Sequence, residues 1–225
     1  MERLYINITS KCNYSCPFCC MSSSPFRKEE MTFDKFKEIV DGYDGKDIEI
    51  QIEGGEPTIH PAFWLFVEYS FFKNNVSRVI VDTNGHNLYK IIDHFVEISE
   101  RHGKKLTIKA SDNHYIREKR GTKIVDEYIS LISALEFVEN VDLLINLRGY
   151  TENEVAEMKN NYKTQTKDFT PFVNGFTFNR YGRLKNDKRL PEIIINRTVD
   201  TFHCYDSEGN YYGENLYKRA EHEEK

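Results

Sequence analysis

No stretch of this chain is long and apolar enough to cross a bilayer. The most apolar run, Ala62 to Phe72, is broken by Glu68 and falls well short of the ~20 residues a membrane helix requires. No secretory leader is expected either, since the sequence runs at once into the alternating segment Leu4 to Thr9 without a charged region, apolar stretch or cleavage site, and a cytoplasmic protein without a membrane partner is the expectation. There is no basic stripe. The 31 Lys and Arg are scattered among 36 Asp and Glu, for a formal net charge of -5, which argues against a nucleic-acid partner. No internal repeat, low-complexity tract or Gly/Ser linker divides the 225 residues, a length that suits one domain with a sizeable core. Cysteine is sparse and uneven. Four of the five crowd into Cys12 to Cys20 and the fifth is Cys204, an odd, clustered set unlike a secreted disulfide framework and better suited to metal chemistry in a reducing compartment.

What is present is a regular alternation. Strands are predicted over Leu4-Thr9, Ile48-Glu53, Arg78-Thr83, Leu106-Ser111, Asp142-Arg148 and Val173-Asn179, from apolar or period-two runs between turn residues. Helices are predicted between them. The first starts at the N-cap Thr32 and puts Phe33, Phe36, Val40 and Tyr43 on one face. Others begin after Pro61, after Asn87, near Gly121 and after Thr151, where Thr151 and Glu154 form a Thr-x-x-Glu capping box. Such alternation implies a parallel sheet with right-handed crossovers, either doubly wound or an incomplete barrel, and both place ligands at the C-terminal strand ends. Beyond Asn179 come a charged loop (Lys185 to Arg189), an apolar run (Ile193 to Ile195) and a hairpin turning at Ser207 to Gly209. The expected organisation is a core over residues 1–183 and a C-terminal extension or lid over 184–225.

The strands are apolar on one parity and polar on the other. Ile48, Ile50 and Ile52 alternate with Glu49, Gln51 and Glu53, and Leu106, Ile108 and Ala110 with Lys109 and Ser111; Asn146 with Arg148 and Thr177 with Asn179 continue the polar set. With the apolar parity under the helices, the polar parity lines a wet cavity; half-exposed strands of an ordinary sheet would give the same alternation.

Cys12, Cys16 and Cys19 follow the first strand directly, so three thiolates can converge on one small object. A [4Fe-4S] cube commonly takes four cysteines; three leave one iron open for chemistry, as in catalytic metal sites. Cys20 points away from its neighbour Cys19 in an extended segment and is read as a bystander. A structural zinc site completed by Cys20, Cys204 or His203 is the competing assignment.

The segment Cys12-Asn13-Tyr14-Ser15-Cys16-Pro17-Phe18-Cys19 resembles the C-x3-C-x-aromatic-C signature of the radical S-adenosylmethionine (SAM) superfamily. Gly54-Gly55-Glu56-Pro57, ending the second strand, resembles its GGEP motif, and Thr83-Asn84-Gly85 its T-N-G. The resemblance runs from about Leu4 to Arg183 and implies an α/β fold, a partial (β/α)6 TIM-type barrel with a short C-terminal extension. It implies a [4Fe-4S] cluster on Cys12, Cys16 and Cys19. It also implies SAM contacts from Phe18 (adenine), Gly54, Gly55, Glu56 and Pro57 (amino group), Thr83 and Asn84, Ser111 (ribose), and Asn146 and Arg148. Asn179 to Arg183 resemble positions near the adenine and cofactor carboxylate. No Cys-rich auxiliary-cluster domain is matched.

The activity so implied is reductive cleavage of SAM to methionine and a 5'-deoxyadenosyl radical, which modifies a peptide or small-molecule substrate; an electron donor such as flavodoxin or ferredoxin is the implied partner. A glycyl-radical-enzyme activase is the alternative, and a non-catalytic zinc or iron-sulfur binding protein the lesser one. By position, substrate-side candidates are Asp112, His114, Tyr115, His203, Cys204, Tyr205 and Tyr212.

Overall fold

The computed structural model describes residues 1–121, 123–165, 172–176, 178–191 and 202–214. They fall into two units, Met1–Asp82 with Phe178–Lys225, and Thr83–Thr177.

In the first unit, β1 (Glu2–Asn7), β2 (Ile48–Glu53) and β3 (Val76–Thr83) run parallel, Glu2 standing opposite Ile48 and Asn7 opposite Glu53. Two strands from the C-terminal part of the chain, β7 (Phe202–Tyr205) and β8 (Tyr211–Gly213), complete the unit's sheet in the order β3-β2-β1-β7-β8. β7 pairs parallel with the free side of β1, and β8 pairs antiparallel with β7. The expected hairpin is therefore present, and it extends the sheet. Pairing with β1 was not foreseen, because a four-residue strand carries no sequence signal of a partner about two hundred residues away. The apolar run Ile193 to Ile195 lies outside the described residues.

Both parities of β2 are buried. Leu4, Ile6, Ile48, Ile50 and Ile52 are fully buried, as are Phe36 and Val40 of α1 (Phe33–Asp41) and Phe66 and Val67 of α2 (Phe63–Phe72). The two helices meet through Phe36 and Phe66, ring centroids 4.7 Å apart. Thr32 caps α1 as expected, its Oγ1 accepting from the Lys35 N–H at 3.2 Å; Tyr43 falls just beyond the Gly42 C-cap. The polar parity is buried too. Glu49 accepts from Arg3 Nε at 2.8 Å, with Arg78 3.4 Å away, and Gln51 donates to Glu53, so of the two carboxylates that burial would penalise one is ion-paired and the other hydrogen-bonded.

In the second unit, β4 (Lys105–Asp112), β5 (Val141–Arg148) and β6 (Phe172–Phe176) are parallel neighbours in that order. The sixth strand stops at Phe176, short of the expected Asn179, and Thr177 lies outside the described residues. Helices α3 (Leu88–His102), α5 (Lys123–Leu135) and α6 (Glu152–Gln165) occur where the sequence pattern put them. The Thr151/Glu154 capping box is formed: Thr151 N–H donates to Glu154 Oε2 at 2.7 Å, and Glu154 N–H to Thr151 Oγ1 at 3.3 Å. A further short helix, α4 (His114–Arg120), is capped by Asn113 Oδ1 accepting from Ile116 N–H at 2.8 Å. Only Ile116 of its seven residues is buried, so it has no apolar period to read. No helix among the described residues is long and apolar enough to cross a membrane.

Candidate active site

The cysteine loop leaves β1 and is fastened at its base by backbone bonds, Met31 N–H to Ile8 O (2.9 Å), Ser10 N–H to Glu29 O (2.9 Å) and Cys12 N–H to Ser24 O (3.1 Å). Cys12 is buried; Cys16, Cys19 and Cys20 are half-buried. Burial pushes the Cys12 and Cys16 thiols up to about 12, and Cys19 also upward; the negative charges of Cys19 on Cys16, and of Glu56, Cys19 and Cys16 on Cys12, act in the same direction. These sulfurs are near enough to repel one another as thiolates, a repulsion that their protons remove in the free chain and that a bound cationic group would remove in their place. Among the described residues, no three Cys, His, Asp or Glu side chains stand together tightly enough to hold a metal ion.

The Gly54–Gly55 turn lies directly against this loop. Gly55 N–H donates to Thr9 O at 2.6 Å and Glu56 N–H to Lys11 O at 3.0 Å. A Cβ on Gly54 would stand 2.7 Å from Thr9 O, and one on Gly55 2.2 Å from Lys11 O, distances that no side chain survives without backbone movement. Glycine is thus required at both positions for close approach. The fully buried Glu56 turns its carboxylate to Thr58, accepting from its N–H at 3.2 Å, and so caps the short turn Pro57–Ile59. Phe18 stacks on Phe178, centroids 4.5 Å apart at 26°.

The donor set suits an iron-sulfur cluster. Three soft thiols lie in one eight-residue span whose like charges a cationic cluster would neutralise, beside a Gly54–Gly55 turn that packs its backbone directly on the root of the loop because both side chains are absent.

In the second unit, the Thr83–Gly85 turn is held by Thr83 Oγ1 accepting from Gly85 N–H and Asn84 Oδ1 from His86 N–H, both 3.0 Å. Gly85 (φ +75°) has Tyr128 Oη where its Cβ would be, at 2.1 Å, and the Tyr128 hydroxyl donates to Ser111 O at 3.0 Å. Arg120 Nη1 donates to Gly85 O at 2.9 Å. Tyr128 therefore fixes the spacing of the Gly85 turn and the Ser111 strand end, which sequence reasoning did not anticipate. Asn146, 3% exposed, has an Oδ1 that accepts no hydrogen bond from the described residues. Since a buried acceptor left so is costly, it marks the end of β5 as a place where a polar ligand group would be welcome. Arg148 and Ser111 are half-buried.

Of the substrate-side candidates, Asp112 is fully buried and taken up internally. It accepts from Arg117 through both oxygens (2.8 and 2.6 Å), from Tyr150 Oη (3.2 Å) and from Tyr162 Oη (3.3 Å). His114 is exposed, its ring 4.4 Å from that of Tyr150 and its Nε2 3.6 Å from Glu154. Tyr115 is half-buried with Lys119 over its ring.

The three neighbours on β7 part company. Tyr5 stands opposite Cys204, whereas Leu4 and Ile6 stand opposite His203 and Tyr205. Paired residues share a sheet face, so Cys204 belongs with the polar parity, packed against Tyr5 and Tyr212, and His203 and Tyr205 with the apolar one. There they line a groove of about 730 Å3 with Tyr43, Tyr211, Lys35 and Lys46. His203 Nε2 lies 2.9 Å from Glu2 Oε2, and Tyr43 and Tyr205 hydroxyls are 3.0 Å apart.

Comparison with known proteins matches residues 6–161 to the Radical SAM superfamily. GTP 3',8-cyclase of Mannheimia succiniciproducens is 24% identical over 217 residues, covering 88% of this chain and 63% of the cyclase. Mycofactocin maturase MftC of Mycobacterium tuberculosis is 34% identical over 64 residues, 28% of this chain and 16% of the maturase. Among solved structures, Streptococcus suis SuiB bound to its precursor peptide SuiA superposes with a TM-score of 0.57 at 16% identity, over 81% of this chain and 40% of SuiB. That likeness concerns the fold, and the α/β, partial TIM-barrel class expected from the sequence holds.

Proposed function

This chain belongs to the Radical SAM superfamily, and on that premise we propose that it cleaves SAM reductively at a [4Fe-4S] cluster to modify a peptide or small-molecule substrate. When bound, the reduced cluster supplies the electron that splits SAM into methionine and a hydrogen-abstracting 5'-deoxyadenosyl radical. The chain's own part is to hold, orient and shield. Cys12, Cys16 and Cys19 would ligate the cluster, leaving one iron open. Gly54 to Pro57 would present backbone to the amino group of SAM, and Phe18 its ring to adenine. Thr83, Asn84, Ser111, Asn146 and Arg148 are proposed as further SAM contacts. Flavodoxin or ferredoxin would be the electron donor.

The observation that carries this reading is the seating of Gly54 and Gly55 against Thr9 and Lys11, at the root of the cysteine loop, with no room for a Cβ at either glycine. A zinc staple would need no such seating. SuiB with a precursor peptide, and a GTP cyclase, are the relatives behind the two substrate classes; the chain spans 63% of that cyclase and 40% of SuiB, so the activities of those longer proteins are carried over only as a proposal. His114 and Cys204 stay candidates on the substrate side; His203 and Tyr205, on the opposite face of β7 beside Lys35 and Tyr43, do not.

The test is anaerobic reconstitution with iron and sulfide, followed by assay of 5'-deoxyadenosine from SAM with a chemical reductant. A brown protein that forms it is expected. A colourless zinc protein without cleavage would overturn the proposal, and activity only toward a large glycyl-radical partner would select the activase alternative.

A further inference from the structure

The segment after β6 returns to the cysteine loop and braces it at several points. Phe178 stacks on Phe18. Gly182, at φ +54°, lies so close beneath the loop that a Cβ there would be 2.5 Å from both Cys19 O and Cys20 Cα. Arg183 then donates its backbone N–H to Cys19 O at 3.1 Å. Its guanidinium donates to three more loop carbonyls: Nη1 to Cys16 O at 2.6 Å, and Nη2 to Ser22 O at 3.1 Å and Ser23 O at 2.7 Å. Ser22 has a positive φ of 52°, a backbone conformation that a non-glycine residue holds only when its surroundings fix it.

The charge of Arg183 is used differently from that of the loop's other arginine. Arg27 pairs with Glu29 at 2.9 Å. No carboxylate among the described residues pairs with Arg183, whose guanidinium partners are backbone carbonyls. A full positive charge therefore remains beside the segment carrying Cys16 and Cys19. Iron-sulfur potentials follow net charge and hydrogen bonding around the cluster, and a nearby cation favours the form that has gained an electron.

We infer that Arg183 is a positioning residue for the cluster: it fixes the backbone from Cys16 to Ser23, and its unpaired charge raises the cluster's reduction potential. The inference rests on the reading of Cys12, Cys16 and Cys19 as cluster ligands, and it assigns Arg183 to the loop where the sequence resemblance had it near the cofactor carboxylate.

The test uses the full chain, reconstituted anaerobically as wild type, Arg183→Lys and Arg183→Met, with circular dichroism to establish folding. Two quantities are read without turnover: the midpoint of the cluster in an EPR-monitored redox titration, and the rate of iron loss to a chelator. Arg183→Met is expected to titrate at a lower potential and to lose iron several-fold faster. Arg183→Lys, which keeps the charge but not the three-carbonyl geometry, should recover most of the potential and little of the iron retention. A folded, cluster-loaded Arg183→Met with the wild-type midpoint would overturn the inference. Should that variant fail to fold or load, Arg183→Lys decides alone, and wild-type iron retention in it overturns the positioning role. A wild-type chain that takes up no cluster would instead sink the ligand assignment on which the inference stands.

Discussion

The carbonyl oxygen of Lys11 occupies the space beside Gly55 so fully that a Cβ on that glycine would stand 2.2 Å from it. Both groups are backbone, so neither can swing aside. Gly55→Ala must push the turn off the cysteine loop, breaking the Gly55 N–H to Thr9 O and Glu56 N–H to Lys11 O bonds. A displacement near 1 Å at a reacting centre costs about 10²-fold in rate, and overpacking of this kind costs about 1–3 kcal/mol in stability. Gly55→Ala should therefore lose about two orders of magnitude in 5'-deoxyadenosine formation while still folding. Wild-type rates in that variant would show that the turn does not shape the SAM site.

The ligand assignment separates adjacent cysteines. Cys16→Ala should abolish brown colour and SAM cleavage, since two thiolates and one open side do not hold a cube. Cys20→Ala should retain the cluster and its iron content, because Cys20 is placed by its backbone, packed over Gly182. Loss of the cluster in Cys20→Ala, measured by iron and sulfide content, would reverse the assignment.

Strand β2 was legible to the residue because Ile48, Ile50 and Ile52 alternate without interruption, and the Thr151/Glu154 box because its two bonds are local. What lies across the chain was not legible. Nothing in Phe202-His203-Cys204-Tyr205 tells that it pairs with β1, and so nothing divides Cys204 from its two neighbours; the register Tyr5 to Cys204 does. Asn146 could be read as a polar strand residue, but its orphaned Oδ1 depends on burial by other elements. The contacts of Arg183 span more than 150 residues of sequence. A sequence motif marks residues whose own chemistry is needed, and the residues that hold them in place carry no such mark.

Asp112 illustrates the same division, since it adjoins the proposed ribose contact Ser111 yet its four hydrogen bonds all go to protein. With Asp112 at 0% and Arg117 at 29% side-chain exposure, removing the carboxylate strands a partly buried guanidinium and two tyrosine hydroxyls. Breaking one side of a buried pair costs about 3–5 kcal/mol, and the exposure of Arg117 places Asp112→Ala at the low end. Urea titration by circular dichroism should show that loss, with Asp112→Asn intermediate. A change below about 0.5 kcal/mol, the range of ordinary surface substitutions, would mean that the hub contributes nothing to stability.

Glu29 gives the cysteine loop a pH dependence whose sign is fixed. Burial opposes its charge, but hydrogen bonds from Ser10 Oγ, from Arg27 Nε at 2.9 Å and from the Lys28 N–H at 3.1 Å prevail and hold its carboxyl down to about 2, against an ordinary value of 4.5. A group with a depressed folded-state pKa contributes stability that is fully present above its unfolded value and is lost as pH falls through the folded one. The window is therefore about pH 4.5 to 2. Glu29 is 35% exposed, so solvent screening limits the contribution to about 1 kcal/mol or less. Glu29→Gln should melt slightly below wild type at pH 7, and the two melting temperatures should draw together as the pH is lowered from 4.5 towards 2, where the wild-type carboxyl becomes neutral like the amide. A gap of constant size from pH 7 to pH 3, followed by thermal melts on the metal-free chain, would show that the carboxylate charge does not fasten the loop.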